Sequence, residues 1–196
     1  MKSSNRSDVN PFLVMDIMQE ASVLEKRGRS IIHMEVGQPS SGAPIDALNQ
    51  LYNKSLSDNL GYSVALGLPE LRERIADLYD SRYNLTVDPK RVLITSGSSA
   101  GFILAFIAFF NTGDEILIGE PGYPSYKNMI KSLSLKADIC STRIEDRFLL
   151  TPKSILKSSA AGVLVASPAN PTGISFNRRE FELLITSAQQ KKMIFC

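Results

Sequence analysis

The sequence has no tryptophan, one histidine and two cysteines in 196 residues. A lone imidazole, His33, excludes a multi-histidine metal centre. Cys140 and Cys196 lie far apart and form no metal-ligand or redox spacing. Charge of one sign is also lacking: 22 basic residues face 20 acidic ones, for a net +2. That balance gives no electrostatic reason to expect nucleic acid or an acidic membrane as partner. No apolar run is long enough to span a bilayer, and the longest, 100–110, suits a buried core helix. The N-terminus lacks the continuous apolar stretch of a secretory signal. A reducing cytoplasm is therefore the expected location.

What remains is ordinary globular composition, 43% hydrophobic and 8% aromatic. It excludes collagen-like, low-complexity and disordered classes. The length by itself suits one domain with a core that needs no staples.

Residues 12–27 carry Phe12, Met15, Ile17, Met18, Ala21 and Leu24 at helical spacing, with Gly28 as a stop. The run 31–36 reads as a short strand closed by Gly37 and Pro39. Pro44 suits the first turn of a helix through about Ser57. Pro69 opens an amphipathic helix with Leu71, Ile75, Leu78 and Tyr79 on one side and Arg72, Glu73, Arg74 and Asp77 facing water. From Arg91 onward strands and helices alternate. Strands are expected at 91–95, 115–119, 136–140, 162–166 and from Met193 onward. Helices are expected at 98–111, 122–134, 152–159 and 178–191. Such alternation with apolar strands argues for an α/β domain around a mostly parallel sheet.

Three loops follow predicted strands. TSGSSAG at 95–101 opens a helix, where free backbone N–H groups and the positive end of the helix dipole make an anion site. The same serines could simply cap the helix. Neither a P-loop nor a dinucleotide fingerprint is present. EPGYPSY at 120–126 is a rigid turn at a strand's carboxyl end, and its Tyr123 could stack on a planar ring or merely half-bury in the turn. SPANPTG at 167–173 restricts the backbone on both sides of Asn170. It could aim that amide at one point, or serve as a plain turn. Together, an anion site, an aromatic plane and an oriented amide suit a planar, phosphorylated cofactor.

The ordered set goes further than any single motif. GQP at 37–39, GYSVALG at 61–67 running into LPELR, TSGSSAG, GDE at 113–115, PGYPSY and SPANPTG occur in this order. The chain thereby resembles the N-terminal half of a class I/II aminotransferase, fold type I of the pyridoxal-phosphate enzymes. The resemblance covers 12–196. It implies a three-layer αβα fold with a mostly parallel sheet, an aminotransferase-like large domain cut short. Residues 1–45 would be an N-terminal arm and the first part of a small domain, and 46–196 the N-terminal part of the cofactor-binding domain.

The resemblance also implies site roles. Gly97, Ser98 and Ser99 would hold the phosphate of pyridoxal 5'-phosphate. Tyr123 would stack on its pyridine ring, and Asn170 would hydrogen-bond the ring 3'-oxygen. Tyr62 would reach the phosphate in a neighbouring subunit, implying a homodimer. Gly37 would lie beside the substrate carboxylate. Gln38 stands where the family often has an acidic residue. The reaction implied is transfer of an amino group between an amino acid and a 2-oxo acid, with the cofactor as electron sink. The family's pyridine-nitrogen aspartate and its Schiff-base lysine belong beyond Cys196. Lys127, Lys131 and Lys153 do not lie in that lysine's sequence context. The expectation is therefore a fragment with no activity alone. The alternatives are a non-catalytic ligand-binding or interaction protein derived from the family, and a related pyridoxal-phosphate lyase or synthase.

Overall fold

The structure is a computed structural model that describes residues 3–59 and 61–196. It divides into two compact units. One joins the segment up to Leu13 with Ser98–Cys196, and the other is Val14–Gly97.

In the first unit the alternation foreseen from the sequence forms β1 (Glu115–Glu120), α5 (Ser125–Ser132), β2 (Lys136–Ser141), α6 (Pro152–Lys157), β3 (Gly162–Leu164), α7 (Arg178–Gln190) and β4 (Ile194–Phe195). Helix α4 (Gly97–Phe109) precedes them. The strands make a four-stranded sheet in the order β2-β1-β3-β4, every pair parallel. Side chains alternate across a strand, and β1 shows the consequence. Ile116 and Ile118 join Leu164, Phe106, Phe110, Met129 and Ile130 in one core cluster. Leu117 joins Val163, Ile155, Leu184 and Ala188 in the other. Helices α4 and α5 thus cover one face of the sheet, and α6 and α7 cover the opposite face. This is the expected three-layer αβα arrangement. Phe106, Ile116, Ile155, Val163 and Leu184 are fully buried, each contributing about 1.5–3 kcal/mol by removal from water.

Local chemistry sets the ends of these elements. Pro124 precedes α5, so the helix starts at Ser125 rather than near 122. Thr151 and Ser154 form a capping box on α6, with Pro152 in its first turn. Asn177 Oδ1 accepts from the Glu180 backbone N–H at 2.9 Å, while Glu180 Oε2 accepts from the Asn177 N–H at 2.8 Å. This second box starts α7. Ser158 Oγ donates to Asp138 Oδ2 at 2.5 Å and accepts from the Ala160 N–H at 3.0 Å, tying the end of α6 to β2. Strand β3 stops at Leu164, two residues before the expected 162–166.

The second unit contains α1 (Leu13–Lys26, entered from the first unit), α2 (Ile45–Ser57) and α3 (Pro69–Tyr83). Four expectations fail in it. Residues 31–36 and 91–95 form no strand, because no described segment pairs with them. Around 91–95 the Val92 N–H closes a 3-10 turn on the Pro89 carbonyl, and Ile94 donates a single bond to Leu66. Arg72 does not face water. Its guanidinium is half-buried and donates to the carbonyls of Pro89 (2.7 Å) and Val92 (2.9 Å), pinning α3 to the turn Pro89–Arg91. The supposed apolar face of α3 is largely open, with Leu71, Leu78 and Tyr79 exposed and Ala76 buried instead. Among the described residues no helix is long and apolar enough to cross a membrane.

Candidate cofactor site

The sheet order determines where a ligand can be received. From β1 the chain passes through α5 to β2 on one side, whereas β3 lies on the other side of β1 and leads onward to β4. The connections therefore diverge at the carboxyl ends of β1 and β3, the position where open α/β sheets form their binding crevice. The loops carrying PGYP and SPANPTG emerge at that place. Gly119 near the end of β1 and Pro121 and Gly122 from the first loop, with Val165, Ala169 and Asn170 from the second, line one cavity of about 50 Å³.

The first loop is held by close packing. A Cβ at Gly122 would lie 2.6 Å from the Gly119 carbonyl oxygen, so only glycine lets the chain turn so tightly. Tyr123 is half-buried, and its ring meets the Tyr126 ring almost at right angles, centroids 5.3 Å apart. Tyr126 in turn meets Phe102 of α4 at 5.3 Å. Burial, and then the neighbouring Tyr123, raises the pKa of the Tyr126 phenol, so it stays protonated at neutral pH. The peptide bonds before Pro121, Pro168 and Pro171 are cis.

Asn170 is exposed at the cavity, and no protein group among the described residues hydrogen-bonds its amide. In the same loop the Thr172 hydroxyl is buried without a partner.

The start of α4 bears on the two readings of TSGSSAG. Gly97 takes a left-handed φ of +79°, and the Thr95 hydroxyl donates to the Gly97 carbonyl at 2.8 Å. No serine side chain caps the helix among the described residues, and Ser98 and Ser99 are exposed. The Gly97 N–H already donates to the Thr95 carbonyl at 2.8 Å, whereas the first-turn N–H groups of Ser98 and Ser99 have no intrahelical acceptor. An anion could be received there by Ser98 and Ser99, the reading taken up below as a proposal.

Gly37 and Tyr62 belong to the other unit, each in an exposed segment that is neither helix nor strand. Two of the lysines considered above have carboxylate partners, Lys127 with Glu120 and Lys131 with Asp8. Among the described residues no cluster of metal-ligating side chains occurs. One contact was not legible in the motifs. Phe12 lies against Tyr123, 6.0 Å between centroids. The segment 148–150 and Phe176 also line the cavity, and nothing in their local sequence marks them out.

A parallel αβα sheet whose divergent loops carry the Tyr123 ring and the open Asn170 amide defines an α/β protein with a candidate crevice at its switch point. Residues 29–196 match the family described as aminotransferase class I and II, and the chain belongs to that family. It is 41% identical over 170 residues to the valine–pyruvate aminotransferase of Mycobacterium tuberculosis, covering 86% of this chain and 44% of that protein. It is 32% identical to the (5-formylfuran-3-yl)methyl phosphate transaminase of Methanocaldococcus jannaschii, covering 93% of this chain and 48% of that one. The crystal structure of an aminotransferase from Mycobacterium tuberculosis superposes with a TM-score of 0.95 at 36% identity, over 100% of this chain and 51% of that one. The chain thus spans about half the length of the relatives it matches.

Proposed function

We propose that this chain is the N-terminal part of a pyridoxal 5'-phosphate-dependent aminotransferase that moves an amino group between an amino acid and a 2-oxo acid. The observation that carries this reading is the uncapped start of α4, in a chain whose diverging β1 and β3 loops carry Tyr123 and Asn170. Family membership and the share of each relative that is covered support it. In this reading 1–45 is an arm with the first part of a small domain, and 46–196 begins the cofactor-binding domain.

The donor set fits the cofactor. Backbone N–H groups of Ser98 and Ser99, with the two serine hydroxyls, would bind a phosphate dianion, Gly97 would let it approach the backbone closely, and the helix dipole adds to the attraction. Tyr123 would lie against the pyridine ring and exclude water from one side of it. The Asn170 amide would donate to the ring 3'-oxygen and fix the ring's rotation. Tyr62 would reach the phosphate bound by a second copy, making the working assembly a homodimer. Gly37, lacking a side chain, would leave room for the substrate carboxylate. Pyridoxal phosphate, when bound, supplies an electron sink for bond breaking at the amino-bearing carbon. The lysine and aspartate that complete such a site are not among the residues assigned here, and we infer no transamination by these 196 residues alone. The setting is a reducing cytoplasm, in keeping with two free, widely spaced cysteines.

A fluorescence titration of the chain with pyridoxal 5'-phosphate tests the reading. Expected are reversible binding, competition by inorganic phosphate, and affinity about tenfold or more weaker in Ser98→Ala/Ser99→Ala, since hydrogen bonds to a charged group are lost. Absence of binding at millimolar cofactor contradicts it. Valine with pyruvate, the pair in the name of the Mycobacterium tuberculosis relative, is the first substrate pair to assay. A borohydride-stable pyridoxyl label on one defined lysine of the chain would overturn the inferred inactivity.

A further inference from the structure

The segment before α1 meets the candidate site at Tyr123, far away in sequence. Arg6 Nε donates to Ser134 Oγ at 3.0 Å, just past the end of α5. Lys131 Nζ pairs with Asp8 Oδ2 at 3.0 Å. Asn128 Nδ2 donates to the Asn10 carbonyl at 3.1 Å. Phe12 then meets the Tyr123 ring at an interplanar angle of 83°, centroids 6.0 Å apart. The contacts advance from Arg6 to Phe12 while they step back from Ser134 to Tyr123. The segment therefore runs antiparallel along α5, with its register set at every anchor. An exposed ion pair such as Lys131–Asp8 contributes little alone, but here it fixes where the Phe12 ring arrives.

Tyr123 thus contacts two rings set nearly perpendicular to its own, Phe12 from this segment and Tyr126 from α5. Perpendicular aromatic pairs have a preferred geometry that simple burial lacks. We propose that residues 5–12 form a strap and that Phe12 is a positioning residue. It fixes the plane of Tyr123 on which the cofactor ring would rest. The inference rests on the reading of Tyr123 as the stacking residue.

The test is NMR of the full 196-residue chain labelled with ¹³C-tyrosine, with Tyr123 assigned through Tyr123→Phe. Phe12→Leu removes a ring current while keeping an apolar side chain. The Tyr123 signal should move, while Tyr79 and Tyr83, which pack on each other, should not. Asp8→Lys touches no part of Tyr123, yet it should move the same signal by loosening the strap. Adding Lys131→Asp should return it. A local packing role for Phe12 does not produce that remote, reversible shift. In both weakened variants the affinity for pyridoxal 5'-phosphate should fall roughly two- to tenfold, the size of one aromatic pair. A Tyr123 signal unmoved by Asp8→Lys in a chain still folded by circular dichroism overturns the strap. A moved signal with unchanged affinity overturns the positioning role. If the cofactor leaves Tyr123 unmoved in the parent chain, the stacking role fails, and the strap is judged on the resonance alone.

Discussion

The ring of Phe110 occupies the space in which a side chain at Gly162 would begin. A Cβ there would lie 2.5 Å from Phe110 Cζ and 3.0 Å from the Ile194 carbonyl oxygen. Phe110 directly follows α4, and Gly162 opens β3, so this contact seats the helix that carries the candidate anion site against the centre of the sheet. Gly162→Ala should therefore overpack the core and cost about 1–3 kcal/mol. That corresponds to roughly 2–4 °C of melting temperature per kcal/mol in a chain of this size. Calorimetry checks it, and an unchanged melt would show that Phe110 moves aside freely.

The capping box on α7 predicts a second, smaller loss. Asn177→Ala leaves the Glu180 N–H without its acceptor and should cost about 0.5–2 kcal/mol. Arg179→Ala, two residues further on and exposed, should cost much less. Urea unfolding of the two variants side by side reads the difference.

These two contacts mark the limit of what could be read from the residues. The alternation of Ile116, Leu117 and Ile118 and the helical spacing of 178–190 are local, periodic signals. The layer order followed from them. The expected strand at 91–95 failed because a strand is a relation between two segments, and its apolar residues say nothing about whether a partner lies alongside. Arg72 looked solvent-facing by periodicity, but its fork found two carbonyls of a turn that no pattern announced. The loops that carry the proposed site were legible because small residues, prolines and glycines mark them: those of Ser98 and Ser99, of Tyr123 and of Asn170. Phe12 was not, because its contact with Tyr123 joins residues far apart in the chain and depends on anchors at Asp8 and Asn10.

His33 makes the Val14–Gly97 unit sensitive to pH. Its ring bonds Glu35 at 2.6 Å and Glu25 at 2.9 Å, and those carboxylates raise its pKa from 6.5 to about 8. The Glu35 carboxyl is lowered in return, chiefly by the same hydrogen bond. A raised folded-state value means the stabilisation is fully present below pH 6.5 and is lost as pH rises through about 8. The melting temperature of the parent chain should exceed that of His33→Gln at pH 6, and the gap should close by pH 9. A gap that is constant with pH contradicts the pairing.

Gly122 offers a test of the loop without touching a ligand-facing side chain. Gly122→Ala places a Cβ 2.6 Å from the Gly119 carbonyl oxygen, which belongs to the backbone and cannot rotate away. The turn must shift and carry Tyr123 with it. Affinity for pyridoxal 5'-phosphate should fall more than melting temperature does. Equal binding in the variant and the parent would mean that the turn geometry does not set the site.

The central claim is that the start of α4 and the loops after β1 and β3 form one cofactor site. A crystal structure of the chain grown with pyridoxal 5'-phosphate tests it most directly. The account predicts the phosphate beside Gly97 on the N–H groups of Ser98 and Ser99, the pyridine ring against Tyr123 and the 3'-oxygen on the Asn170 amide. A phosphate bound elsewhere on the chain, with the start of α4 unaltered, would contradict it.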